Sequence, residues 1–115
     1  MSTSPLLPAL EGFLKVVDER QQLVVTNMAN ADTPGYHTRD LDFQSAMRQV
    51  MDSEGEASLE PAMMELTDLP GRPDGNNVNI DREGLLLSQL QLQYRMGVQL
   101  IKDQFQETLT AIKEQ

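Results

Sequence analysis

The chain has 115 residues, no Cys, no Trp, three Phe, two Tyr and seven Met, and a formal net charge of -9. This length sets an upper limit of one modest domain, and so few aromatics predict a thin core. The acidity argues against a nucleic-acid partner and against direct docking on anionic lipid, and the absence of Cys excludes disulfides and thiolate metal sites.

Residues 1–115 are expected to form a single unit with three zones. The first, residues 5–31, is predicted as a long helix. Leu10, Phe13, Val17, Val24 and Met28 fall on one stripe at spacings of three, four and seven, with Leu14 and Val25 flanking it. Lys15, Asp18, Glu19, Arg20, Gln21 and Gln22 are expected on the exposed face. Pro5 and Pro8 are tolerable only before or within the first turn.

The second zone, residues 32–79, is loop-rich and acidic. Between residues 51 and 79 stand seven acids and one base, so this stretch holds -6 of the -9. Asp32-Thr33-Pro34-Gly35 is a turn signal that stops the helix. Tyr36 to Phe43 alternates loosely and predicts a short extended segment, with Asp40 and Asp42 on a solvated face. Phe43 to Met51 fits a short helix. Ser53 to Glu60 has a disorder-like composition, Pro61 to Leu69 is ambiguous, and Pro70 to Asn77 is dense turn chemistry.

The third zone, residues 80–114, is predicted as a second long helix. Asn79 or Asp81 can cap it, and Asp81 and Glu83 suit its positive end. Leu87, Leu90, Tyr94, Gly97 and Ile101, then Phe105, Leu109 and Ile112, make a stripe with a period near 3.5. Tyr94 reads as core, and Gly97, lying on the stripe, points to a close helix approach. The fold class is therefore mostly α: two long terminal amphipathic helices, pairing as a coiled-coil-like antiparallel hairpin, with a loop-rich middle. The stripes are longer than that middle can cover, so the helices are expected to seek each other, other copies, or relatives.

No constellation reaches the standard of an active site. His37 stands alone beside a turn with no nucleophile arrangement around it. Asp74 to Asp81 is rich in oxygen donors, but the fifth and sixth positions counted from Asp74 are Val78 and Asn79, which breaks the calcium-loop pattern. Gly71 and Gly75 lack the Lys-Ser or Lys-Thr of a phosphate loop. The expectation is a non-enzyme with no catalytic residues, cofactor or metal.

One stretch is unusual. In Asn27-Met28-Ala29-Asn30-Ala31-Asp32-Thr33-Pro34-Gly35-Tyr36 a helix stripe runs straight into Asn-x-x-Asn and a Pro-Gly turn. Asn27 and Asn30 share one face at the helix end. Their amides can hold the last carbonyls and the turn, making a rigid corner. The stretch resembles the N-terminal signature of the flagellar axial family of rod, hook and hook-associated proteins. Arg20 matches the Arg of that signature, and Asn27 to Tyr36 match its Asn-Ile-Ala-Asn and Thr-Pro-Gly-Tyr elements, with Met28 in place of Ile. Thr38 to Phe43, the turn Asp74 to Glu83, and Tyr94-Arg95 in the Leu-rich helix bring the resemblance nearest to one of the two sister proximal rod proteins. Its coverage is roughly residues 10–45 and 73–112. His37 stands where Lys is common, and Gly84 and Gly97 stand where better helix formers do.

The resemblance implies a structural subunit of the proximal rod in the flagellar basal body. It implies periplasmic placement after export through the flagellar type III apparatus, without a cleaved signal. Met1 to Ala9 fits this, having neither a basic nor an apolar signal region. Implied partners are further copies, other rod proteins, and membrane-ring and export-gate components at the rod base. Together they would form a tube that transmits torque and surrounds the export channel. Leu10, Phe13, Val17, Val24, Asn27, Met28, Asn30, Pro34, Gly35, Tyr36, Leu87, Leu90, Tyr94, Ile101, Phe105 and Leu109 are the expected assembly residues. Two alternatives remain open: the sister rod protein, and a soluble acidic helical adaptor or export chaperone.

Overall fold

The computed structural model describes residues 6–52 and 62–114. The disorder-like stretch Ser53 to Glu60 lies outside them. In chain order the elements are α1 (Leu6–Ala29), β1 (Arg39–Leu41), α2 (Phe43–Asp52), β2 (Met63–Glu65) and α3 (Ile80–Lys113). The fold is mostly helical, and its two long helices pack antiparallel, as the stripes predict. The molecule measures 67 × 25 × 18 Å.

Helix α1 stops two residues short of its predicted end. The Asn30 N–H is shared between the Thr26 and Asn27 carbonyls, 3.1 Å from each. That bifurcation tightens the last turn and ends the helix. At the other end of the hairpin, Asn79 is the N-cap of α3. It has extended backbone, φ -110° and ψ 108°, and its side chain accepts from the Arg82 N–H at 3.1 Å.

The extended segment narrows to three residues. Strand β1 pairs antiparallel with β2 in the register Arg39 to Glu65, Asp40 to Met64 and Leu41 to Met63. A two-stranded ribbon is marginal alone, and this one lies against α1. The ambiguous stretch from Pro61 to Leu69 thus supplies its partner strand.

Helix α2 begins where Asp42 caps it. The Asp42 carboxylate accepts from the Ser45 hydroxyl at 2.9 Å and the Ser45 N–H at 3.3 Å. The hydroxyl bond, then the backbone bond, holds the carboxyl below its ordinary value near 3.8. Between the native and ordinary values the unfolded chain binds more protons. This contribution is therefore complete above pH 3.8 and disappears as pH falls through the lower native value. Asp42→Asn keeps a capping oxygen but no charge. It is expected to flatten the acid limb of the stability curve, measured by urea unfolding at stepped pH, and an unchanged limb would refute the assignment.

Helix α1 is the spine, with a small core on each of two sides. One joins Val16 and Leu23 to Leu41, Ala46, Val50 and Ala62, with Phe43, Met47 and Met63 packed against it. The other joins Val17 and Val24 to Leu90, with Phe13, Met28, Leu86 and Leu87 alongside. Phe13 meets Phe43 edge to face, centroids 6.0 Å apart at 73°. The thin core is as expected, but the middle zone covers more of α1 than its composition suggests.

Gly97 sits where α3 packs tightly against Phe13 and Leu14 of α1. A Cβ there would lie 2.7 Å from Leu14 Cδ2 and 3.4 Å from Phe13 Cδ2. Gly84, by contrast, faces open space. Among the described residues no helix is long and apolar enough to cross a membrane.

Candidate functional site

The end of α1, the corner after it, β1, the turn from Arg72 to Asn79 and the start of α3 converge on one polar knot. Asn27 is at its centre and is fully buried. Its Nδ2 donates to the Arg39 carbonyl at 2.8 Å and to Glu83 Oε2 at 3.3 Å. Its Oδ1 accepts from the Arg39 N–H at 3.0 Å and the Tyr36 hydroxyl at 2.8 Å. All four bonds an amide can form are made. The reciprocal pair with Arg39 makes this side chain act as a one-residue continuation of the ribbon edge. It also fixes the amide orientation, since a flipped group would set NH₂ against N–H.

Glu83 enters from the first turn of α3 and is equally buried. Its Oε1 accepts from the Thr38 hydroxyl at 2.7 Å and from Arg82 Nη1 at 3.0 Å. Thr38, also fully buried, donates its N–H to Asn77 Oδ1 at 2.7 Å and accepts from the Leu66 N–H at 2.9 Å. A buried carboxylate is tolerable only when so surrounded. Its ligands come from α1, the β1 approach and α3, so the knot welds both long helices to the corner.

Asn76 and Asn77 close the other side. The Asn76 amide donates to the Asn30 and Thr33 carbonyls at 2.9 and 2.8 Å, and its oxygen accepts from the Val78 N–H at 2.8 Å. The Asn77 amide donates to the Leu66 carbonyl. Gly35, with φ 75°, donates its N–H to the Asp74 carbonyl at 2.9 Å. That positive φ is the left-handed region, where Gly is unstrained. Burial, foremost, raises the Tyr36 phenol above its ordinary value. It therefore stays protonated and donating to Asn27.

Three expectations are corrected here. Asp40 is not on a solvated face but buried, and Arg20 is not on an open helix face. Arg20 forks onto Asp40, Nε to Oδ1 at 2.7 Å and Nη2 to Oδ2 at 2.9 Å. That bond, more than anything else, raises the Arg20 pKa. The nearness of α1, whose Arg20 lies over Asp40, overrides simple alternation. Third, Tyr94 is exposed rather than core, because α1 reaches only one side of the predicted stripe. Asn30 holds the last carbonyls as expected, donating to Thr26 O at 2.8 Å and accepting from the Thr33 hydroxyl at 3.0 Å. Asn27 reaches across to the ribbon instead. His37 is partly exposed, with Nδ1 3.9 Å from Glu65.

The expected assembly residues separate into two groups. Leu10, Val17, Val24, Asn27 and Leu90 are buried within the chain, and Phe13, Met28, Asn30, Tyr36, Leu87 and Ile101 are partly so. Pro34, Gly35, Tyr94, Phe105 and Leu109 face outward. The residues that sequence reasoning missed as a site are Thr38, Asp40, Asn76, Asn77 and Glu83. All five lie in stretches that carry the family resemblance, but the only chemical signal was an excess of Asn and acid around a turn, which ordinary turn and cap chemistry also produces.

Three of the stretches that carry the axial-family resemblance, Asn27 to Tyr36, Thr38 to Phe43 and Asp74 to Glu83, meet in this knot although they are far apart in sequence. Over 115 aligned positions the chain is 32% identical to the flagellar basal body rod protein FlgB of Salmonella typhimurium, covering 83% of each. FlgB of Escherichia coli gives the same identity and coverage. The chain belongs to the FlgB family. FlgB of Yersinia enterocolitica is 28% identical over 137 positions, 95% of this chain and 99% of that one. No family model matches the chain. Of the two sister rod proteins left open by the sequence, the relatives carry the name of the one that the Arg39 to Phe43 run and the Asp74 turn favoured.

Proposed function

We propose that this FlgB-family chain is a structural subunit of the proximal rod. It assembles with further copies, other rod proteins and components at the rod base into a tube that transmits torque and surrounds the export channel. Export without a cleaved signal is part of the same reading. One observation supports it above the rest. Asn27 is level with Glu83, and Leu14 with Gly97. Continued along antiparallel helices, this puts Leu6, the first described residue of α1, level with about Phe105. The last turns of α3 run past it. There Phe105, Leu109 and Ile112 keep the inner stripe going, 56–60% exposed. Three large apolar residues in line, Phe105 at the end of α1 and Leu109 and Ile112 past it, call for a packing partner.

The test is the double variant Phe105→Asp, Leu109→Asp. Both sites are exposed, so the circular dichroism of the free chain is expected to be unchanged, while isolated basal bodies lack the subunit and motility is lost. Normal swimming with normal incorporation would remove the basis of this reading.

A further inference from the structure

Helix α3 carries a second, exposed apolar stripe apart from the one packed on α1. The side facing α1 is marked by Glu83, Leu90 and Gly97, buried at intervals of seven. Leu85, Leu92, Met96 and Leu100 recur at seven, four and four on roughly the opposite side and are 50–64% exposed. From Gly84 to Ile101 the only charged residue is Arg95. A solvated helix face normally carries charge. Single scattered leucines are ordinary on a surface, but a row of four on an almost uncharged helix is not.

Arg95 and Lys102, seven apart, flank this stripe on one side. Both are exposed and neither forms an ion pair among the described residues. On the outward side of α1 stand Glu11 and Asp18, also seven apart and exposed. Beside Asp18 an open groove of about 530 Å³ runs between α1 and α3, floored by Val25 and Leu87. The spacing of the two bases matches that of the two acids, about 10 Å along a helix. The stripe ends at Asp103, whose carboxylate accepts from Gln99 at 3.0 Å.

We propose that the outer stripe of α3 docks on the outward face of α1 in a second copy of this chain. Arg95 meets Asp18 and Lys102 meets Glu11, while Leu85 and Leu92 straddle Val25 over the groove. The decisive feature is the register. Within one chain Leu14 is level with Gly97. Setting Arg95 level with Asp18, antiparallel, also sets Lys102 level with Glu11 and requires a neighbour shifted by only about 3 Å along the axis. A copy placed sideways thus finds complementary charge almost without sliding. The contact uses two different faces, so each copy offers one and accepts the other and the contact repeats from copy to copy. This rests on the rod-subunit reading for its biological setting but not for its test, which uses the full chain in solution.

Sedimentation equilibrium of the wild-type chain is expected to show self-association that weakens as salt is raised. Arg95→Glu with Lys102→Glu, both exposed changes that leave the circular dichroism intact, should weaken it roughly tenfold. Mixing that variant with Glu11→Lys, Asp18→Lys should restore hetero-association. A wild-type chain that stays monomeric up to about 1 mM overturns the proposal. So does association that charge reversal leaves untouched, or reversal that the complementary variant does not rescue. The rod reading fails separately, on the Phe105 and Leu109 variant, whose residues lie outside this surface.

Discussion

Asn27→Ala is expected to destabilise the chain by about 3 kcal/mol or more, a large part of the roughly 5–15 kcal/mol available to a small domain. The substitution empties no large volume. Its cost is polar. It strips a donor from the buried Glu83 carboxylate and leaves the Arg39 N–H, the Arg39 carbonyl and the Tyr36 hydroxyl without their partner. A buried group so abandoned costs about 1–3 kcal/mol, and more when charged. Asn27→Asp discriminates this account from simple loss of packing. It keeps the shape but sets a second carboxylate 3.3 Å from Glu83 Oε2. At neutral pH it should cost more than Asn27→Ala, and the gap should close as pH falls toward the carboxylate range. Urea unfolding followed by circular dichroism at two pH values measures both. Equal losses for the two variants at both pH values would leave the knot without its assigned role.

Gly97→Val should be nearly as damaging, by about 2–4 kcal/mol, for the opposite reason: too much matter rather than too few bonds. Even a Cβ would sit 2.7 Å from Leu14 Cδ2, and two further methyls cannot fit without moving α3. Gly97→Ala is the graded case. Its gain in helix propensity, about 1 kcal/mol, is offset by displacing Leu14, whose contacting atom is the tip of a flexible side chain, so the net change should be small. Gly84→Ala is the control. Nothing stands within 4 Å of that position, so the same propensity gain should appear undiminished. Thermal unfolding of the three variants should rank Gly84→Ala highest and Gly97→Val lowest. Gly97→Val at wild-type stability would contradict the close crossing.

These two predictions fall on opposite sides of what the sequence discloses. Gly97 is legible because helical periodicity places it on the stripe, and a Gly on a packed stripe marks the place where two backbones come close. The same periodicity marked out both long helices to within two residues, and of the two caps the sequence left open, Asn79 and Asp81, the structure uses Asn79. The knot is a different matter. Glu83 and Asp81 look alike in sequence, both acids in a first helical turn. Only the return of the chain, which brings Thr38 and Asn27 to Glu83, separates a buried ligand from a solvated one. Asp40 likewise alternates with Leu41 as a surface residue should, and is buried because Arg20 lies over it. Contacts between residues 20 to 56 positions apart leave no local pattern. Part of the knot, Asn27 and the corner after it, was still visible through its family resemblance.

Two fixed points, Glu83 in the knot and Gly97 at the crossing, aim the whole of α3. They are 14 residues apart, about 21 Å, while Lys113 lies about 45 Å from the first. The helix therefore acts as a lever with a gain of about two. A displacement of 1 Å at Gly97 swings the far tip by about 2 Å, enough to take Leu109 and Ile112 out of register with whatever packs on them. On this geometry the side chain missing at position 97 is an alignment tolerance for a tip four turns away.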